Sequence, residues 1–131
     1  MKIVSQLSVF LENKAGVFAR VCSAFANEGI NMQGIMVVDA IDHAVVRMVV
    51  DKPKKAKDLL EDHGAVCLEN DILALEVPNA PGALILAAEK LAKKNINLDY
   101  AYGSAPSSDG KGVTIYIHVA NPAESLKALK G

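Results

Sequence analysis

The chain has 131 residues, enough for one ordinary domain or two very small ones. Its apolar content of 51% argues against disorder, while 5% aromatic residues and no Trp leave small aliphatic side chains to do the packing. A formal net charge of −1 lacks the electrostatic footprint of a nucleic-acid binder, and no apolar run approaches the roughly 20 residues that cross a bilayer.

Met1-Lys2-Ile3-Val4-Ser5-Gln6 has no apolar signal-peptide core and reads directly as the start of a strand, so a cytoplasmic protein is expected. Leu7, Val9 and Leu11 alternate with Ser8, Phe10 and Glu12, which extends that strand over 3–11. Asn13-Lys14-Ala15-Gly16-Val17-Phe18 ends the alternation. Phe18, Val21, Cys22 and Phe25 then recur at helical spacing, predicting a helix over 16–28 closed by Gly29. A strand over 30–38, a tight turn at Asp39-Ala40-Ile41-Asp42 and a return strand over 44–50 follow. Asp51 and Pro53 open a helix with Ala56, Leu59 and Leu60 inward, which Gly64 stops before a short strand over 65–68. On this helix Lys52, Lys54, Lys55 and Lys57 are answered by Asp51, Asp58, Glu61 and Asp62, the pattern of a solvated face. The remainder reads as strand 72–77, helix 82–94, strand 96–104, a loop over 105–112, strand 113–119 and helix 122–130. Cys22 and Cys67 are too few and too scattered for a disulfide framework and read as buried thiols.

The chain repeats itself. Asn13-Lys14-Ala15-Gly16-Val17 returns 66 residues later as Asn79-Ala80-Pro81-Gly82-Ala83, and Gly29-Ile30-Asn31-Met32 as Asn95-Ile96-Asn97-Leu98. Beyond the loop at 105–112 the spacing grows to 69, where Asp51-Lys52-Pro53 matches Ala120-Asn121-Pro122. Register with an insertion at a loop marks a duplicated domain, here 1–70 and 71–131. Val46, Met48 and Val50 align with Ile115, Ile117 and Val119, so this apolar set should face the helices. Val45, Arg47 and Val49 align with the mixed set Thr114, Tyr116 and His118, which should face away. The fold class is α+β: two ferredoxin-like βαββαβ repeats, each an antiparallel sheet with its helices on one face. The second repeat lacks a final strand of its own. Covering the resulting edge with another chain, or with the long N-terminal strand, would favour a homodimer.

Each strand-to-helix turn joins three properties. Asn13 can hydrogen-bond within its turn, Gly16 permits close backbone approach, and the helix start presents N–H groups suited to a carboxylate. The same glycines can serve helix–sheet packing alone, and Asn13, Asn31, Asn79 and Asn97 can simply shape turns and end helices; duplication preserves either role. His43, His63 and His118 do not group with the cysteines at metal-ligand spacing. Gly16-Val17-Phe18-Ala19-Arg20 resembles an acylphosphatase anion loop, but Arg20 lies a turn into the helix and its counterpart is Leu86. With no Ser/Cys–His arrangement or paired carboxylates in view, no enzyme is expected.

Leu7-Ser8-Val9-Phe10-Leu11-Glu12-Asn13-Lys14-Ala15-Gly16-Val17-Phe18 followed by Asn27-Glu28-Gly29-Ile30-Asn31 resembles the start of an ACT domain, a small amino-acid-binding regulatory domain. Val77-Pro78-Asn79-Ala80-Pro81-Gly82-Ala83-Leu84 with Asn95-Ile96-Asn97 resembles it again, so the whole chain resembles a stand-alone tandem ACT protein. The resemblance implies ligand sites where the first turn of one domain meets the second strand of a neighbour. The matching positions are Asn13, Ala15, Gly16, Val17, Phe18 and Asn31, then Asn79, Pro81, Gly82, Ala83, Leu84 and Asn97. There the N–H groups of Gly16 and Val17, or of Gly82 and Ala83, would take an α-carboxylate and the Asn oxygens an α-ammonium, with no metal and no cofactor. Serine-sensing members have a His two residues before the first Asn; Leu11 and Val77 stand there instead, which tilts the ligand towards an apolar side chain. The resemblance thus implies allosteric regulation by a free amino acid that stabilises one domain or subunit arrangement. The alternative it offers is a non-catalytic regulatory subunit of an amino-acid biosynthetic enzyme, of the acetolactate synthase kind. A third is a regulator of the glycine-cleavage type, which without a basic patch could not bind DNA strongly itself.

Overall fold

A computed structural model describes residues 1–40 and 42–130, with Ala40 described for its backbone only. Ile41, in the expected turn at 39–42, and Gly131 lie outside the described residues. The elements run β1 (Lys2–Glu12), α1 (Val17–Asn27), β2 (Met32–Ala40), β3 (His43–Val50), α2 (Pro53–Asp62), β4 (Val66–Pro78), α3 (Ala83–Lys93), β5 (Tyr100–Gly103), β6 (Gly112–His118) and α4 (Pro122–Lys130). They form two compact units, Ser5–Asn70 and Met1–Val4 with Asp71–Gly131. Strands β1 and β4 therefore each contribute a segment to both.

In the unit spanning Ser5–Asn70 the strand order is β2-β3-β1-β4. Antiparallel pairing sets Leu7 opposite Met48 and Val9 opposite Val46. Period-2 alternation then places Leu7, Val9, Leu11, Val46, Met48 and Val50 in one core with Phe25 of α1 and Ala56 and Leu60 of α2. The helices end where their glycines dictate. Gly29 (φ 68°) and Gly64 (φ 81°) take left-handed backbone, and the following Ile30 and Ala65 N–H groups return to Phe25 O (2.9 Å) and Leu60 O (3.0 Å). Two of the lysines on α2 do more than meet water: Lys52 Nζ and Lys55 Nζ donate to Gly29 O and Glu28 O, both at 2.9 Å. They satisfy carbonyls at the end of α1 and oppose its dipole. Lys54 and Lys57 pair with Asp58 and Glu61 as the charge pattern suggests.

The other unit has the order β1-β4-β6-β5, with Leu73 opposite Ile117 and Leu75 opposite Ile115. Its core joins Leu73, Ile117 and Val119 to Leu91 of α3 and Leu129 of α4. Met1 and Ile3 pack on this same cluster, so residues at the start of β1 belong to this unit. Asn95 (φ 53°) ends α3 at the position equivalent to Gly29, since Asn tolerates left-handed backbone better than other side-chain-bearing residues.

Two expectations need correction. The strands read at 65–68 and 72–77 are one strand of 13 residues, β4. The polar run Glu69-Asn70-Asp71 reads as a break, but Ser5 Oγ donates to Glu69 Oε2 and Gln6 Nε2 to Asn70 Oδ1, so the polar groups are satisfied while the backbone stays extended. The strand expected over 96–104 shrinks to Tyr100–Gly103. Leaving the left-handed Asn95, the chain spends Ile96 on the core and Asn97 on a side-chain bond to Asp99 before pairing begins. The face turned away from the helices also holds buried residues, among them Gln6, Val49, Ala74 and Tyr116. Burial raises the Tyr116 phenol, whose ring lies 5.4 Å from that of Tyr102.

Met48 is fully buried, and Met48→Ala should cost about 2–5 kcal/mol in urea unfolding, whereas Val37→Ala on the exposed part of β2 should stay within about 0.5 kcal/mol. The Cys67 thiol is raised by burial from 9.0 to about 11. A folded-state value above the unfolded one means that Cys67 favours folding below pH 9 and loses that contribution as pH rises towards 11. A pH series of urea melts should show this alkaline loss, and Cys67→Ala should reduce it.

Candidate functional site

Both strand-to-helix turns are built alike. Gly16 (φ 88°, ψ −15°) and Gly82 (φ 81°, ψ −5°) are the N-caps of α1 and α3, each left-handed and each without a side chain to cap the helix. The first-turn N–H groups that an N-cap side chain would satisfy are thus left to solvent or a ligand. A Cβ on either glycine would meet nothing within 4 Å, so backbone conformation, not crowding, demands glycine here. Of the donors expected to take a carboxylate, Val17 N–H and Ala83 N–H already make long bonds inside the turn, to Lys14 O and Ala80 O at 3.3 Å. Helix geometry makes the next N–H groups, those of Phe18 and Ala19 or Leu84 and Ile85, the better donors. Apart from Val17 and the buried Ala83, the turn residues Asn13–Phe18 and Asn79–Leu84 are exposed.

The two asparagines brace their turns against the neighbouring hairpin. Asn13 N–H donates to Asp42 O (3.2 Å) and its Nδ2 to Asp39 Oδ1 (2.8 Å). Asn79 N–H donates to Lys111 O (2.8 Å) and its Nδ2 to Gly110 O (3.2 Å). With Nδ2 engaged, Oδ1 is the atom left to accept from an ammonium. Sequence reasoning missed these hairpin partners. The signal was the strand pairing itself: once Glu12 sits opposite His43 and Pro78 opposite Gly112, each Asn must lie beside the loop that precedes the return strand.

Asn31 and Asn97 are not brought to these turns within their own unit. Asn31 precedes β2 at the end where Met32 pairs with Val50, and Asn13 lies at the end where Ala40 pairs with His43. The intervening 9 residues of β2 span roughly 26 Å at the usual strand rise. Asn31 N–H is held by Asp51 Oδ1 (2.9 Å), and Asn97 Nδ2 by Asp99 Oδ1 (3.0 Å). Asn97 also precedes the Tyr100–His118 end of its sheet, away from Pro78 and Asn79. Leu11 is likewise no reporter of ligand chemistry: it is buried in the helix-side core. Its apolar character answers to packing, while Val77 is half-buried in β4.

Elsewhere, His118 stacks on Tyr100 with centroids 4.7 Å apart, and its Nδ1 lies 2.9 Å from Asp99 Oδ2. No group of three His, Cys, Asp or Glu residues could hold a metal among the described residues. Asp109, in the loop before β6, is held below the usual carboxylate range by Ser107 Oγ and Lys111 N–H, a hydrogen-bonded turn. Among the described residues no helix is long and apolar enough to cross a membrane.

Because conformation alone requires the glycines, Gly82→Ala should cost about 1–2 kcal/mol through left-handed strain, and Gly82→Asn clearly less, by urea unfolding.

Comparison with known proteins agrees with this architecture. No curated protein sequence matches the chain. Among solved structures, protein BT0572 from Bacteroides thetaiotaomicron is similar at 29% identity and a TM-score of 0.88, over 98% of this chain and 87% of that one. The regulatory subunit of aspartate kinase from Thermus thermophilus, in ligand-free form, shares the fold at 16% identity and a TM-score of 0.66, over 99% and 96%. That from Thermus flavus does so at 19% identity and 0.64, over 99% and 95%. The family model described as an ACT domain pair matches residues 1–128, and with two ferredoxin-like units each opening on a glycine-capped turn, the chain belongs to the ACT domain pair family of regulatory domains.

Proposed function

We propose that this protein is a non-catalytic regulator that binds a free amino acid at its strand-to-helix turns. The observation that supports this reading is the turn built twice, with a left-handed glycine N-cap, uncapped helix N–H groups and a braced Asn whose Oδ1 is the remaining acceptor. An α-carboxylate suits the N–H groups and the start of the helix dipole, and an α-ammonium suits the Asn oxygen. No cofactor enters this scheme. Asn31 and Asn97, distant from the turns of their own units, would join a ligand where a second copy of the chain brings them there. A homodimer is therefore part of the proposal, as is a cytoplasmic setting where free amino acids are abundant. Ligand held across subunits favours the assembled arrangement by its differential affinity for it.

A second reading is an amino-acid-responsive subunit of a biosynthetic enzyme. Leu84, Ile85 and Leu86 stand exposed in succession on α3, an apolar strip beside the second turn. The Thermus proteins named above are regulatory subunits of this general kind, which makes an amino-acid-metabolic enzyme the partner to test.

Calorimetry with the twenty amino acids at about 1–10 mM should reveal at least one ligand, with affinity in the range usual for so small a molecule. Binding should be lost in a folded Gly16→Arg, Gly82→Arg double variant and retained in Gly16→Asn, Gly82→Asn. Light scattering should show the dimer fraction rising with that ligand. No heat from any amino acid, or unchanged affinity in the Arg variant, would reduce both turns to packing devices.

A further inference from the structure

The unit spanning Ser5–Asn70 contains a cavity that the turns do not use. It opens between α1 and α2, has a volume of about 220 Å³, and is walled by Val21, Ala24 and Phe25 from one helix and Leu59 from the other. Small side chains on α1 leave the space: Ala24 and Val21 stand where bulkier residues would close the gap between the helices. The polar side chains that line it are Arg20 and His63, both exposed.

Arg20 makes no ion pair among the described residues. His63 sits at the C-cap of α2, its Nδ1 2.8 Å from Leu59 O. A carbonyl only accepts, so Nδ1 carries the proton, and Nε2 is the ring atom left for a ligand, a second donor when the ring is protonated. An apolar hollow with a guanidinium at its mouth suits an amphiphilic anion, because Arg grips a carboxylate through two parallel N–H bonds while the hollow takes the apolar body. No acidic side chain lines the cavity, so an α-ammonium would find no charged partner in it. Size narrows the class further, since an apolar cavity of roughly 150 Å³ accepts benzene. A space somewhat larger fits one branched aliphatic chain or one phenyl ring.

We propose that this cavity binds a compact apolar monocarboxylate, a branched-chain or phenyl-bearing acid without an α-ammonium, with Arg20 as its carboxylate anchor. The site differs from the turns in ligand and in number. Leu86 replaces Arg20 in the second copy, so there is one such site per chain.

The test is an amide NMR titration of the full chain with 4-methylpentanoate and 3-phenylpropanoate, set against leucine and phenylalanine, which share their carbon skeletons. The acids should bind saturably, one per chain, at about 0.1–1 mM, and shift the amides of Val21, Ala24, Leu59 and Ala65. Arg20→Gln, at an exposed position, should weaken that binding roughly tenfold, the loss expected for a charge-assisted anchor. Ala24→Phe, filling the cavity, should abolish it, and should Ala24→Phe fail to fold, Arg20→Gln decides alone. Equal binding of leucine and 4-methylpentanoate at this site, no saturable shifts up to about 10 mM, or an unaltered affinity in Arg20→Gln would each overturn the proposal. Failure of amino acids to bind the turns leaves this result intact, because the amides read here belong to the helix cleft.

Discussion

The pairing of β1 on β3, with Leu7 opposite Met48 and Val9 opposite Val46, decides where everything else in its unit can go. These side chains are almost wholly excluded from water, and their period is two, so a one-residue slip would turn the entire set outward. Burial of that set anchors α1 and α2 on one face. It also places Glu12 opposite His43, which brings Asn13 within hydrogen-bonding distance of the loop before β3. The same logic runs through Leu73 and Ile117 to Asn79 and the loop before β6. A hydrophobic register thus positions two polar turns that contribute little to the core themselves.

That dependence explains why the turns look alike despite differing partners. Asn13 reaches a carboxylate oxygen of Asp39, and Asn79 reaches the backbone carbonyl of Gly110. The loops they touch share neither length nor sequence. What is shared is the strand exit, the left-handed glycine and the helix that follows, each imposed by backbone geometry. An N-cap without a side chain leaves open a donor that Ser, Thr, Asp or Asn would satisfy there. Leaving the donors open is what gives the turns a capacity for anions.

The helix cleft shows the complementary case, in which a gap in apolar packing acquires chemistry from its rim. Val21 and Ala24 put short side chains on the α2-facing part of α1, and the space between α1 and α2 is not closed. Arg20, set one turn into α1, and His63, at the end of α2, meet at that opening only because the two helices lie on the same face of the sheet. Forty-three positions separate them in the chain, and no local pattern joins them.

What the sequence determined by itself were the features governed by short-range rules. Apolar period, turn residues and the repeat yielded the α+β class, the two copies, the helices and their glycine stops, because each depends on residues within a few positions. The helix-facing set at 46, 48, 50, 115, 117 and 119 followed from the same alternation, and the likeness of the two turns to one family followed from residues standing together in the chain. Tertiary structure alone decided the rest. It kept Glu69-Asn70-Asp71 extended, because partners supplied by β1 made a polar run affordable inside a strand. It set Asn31 at the far end of the sheet from Asn13, because antiparallel pairing sends β2 away from the turn that precedes α1. And it brought Arg20 and His63 to the lining of one cavity, since distance in space, unlike distance along the chain, is settled by which faces pack together.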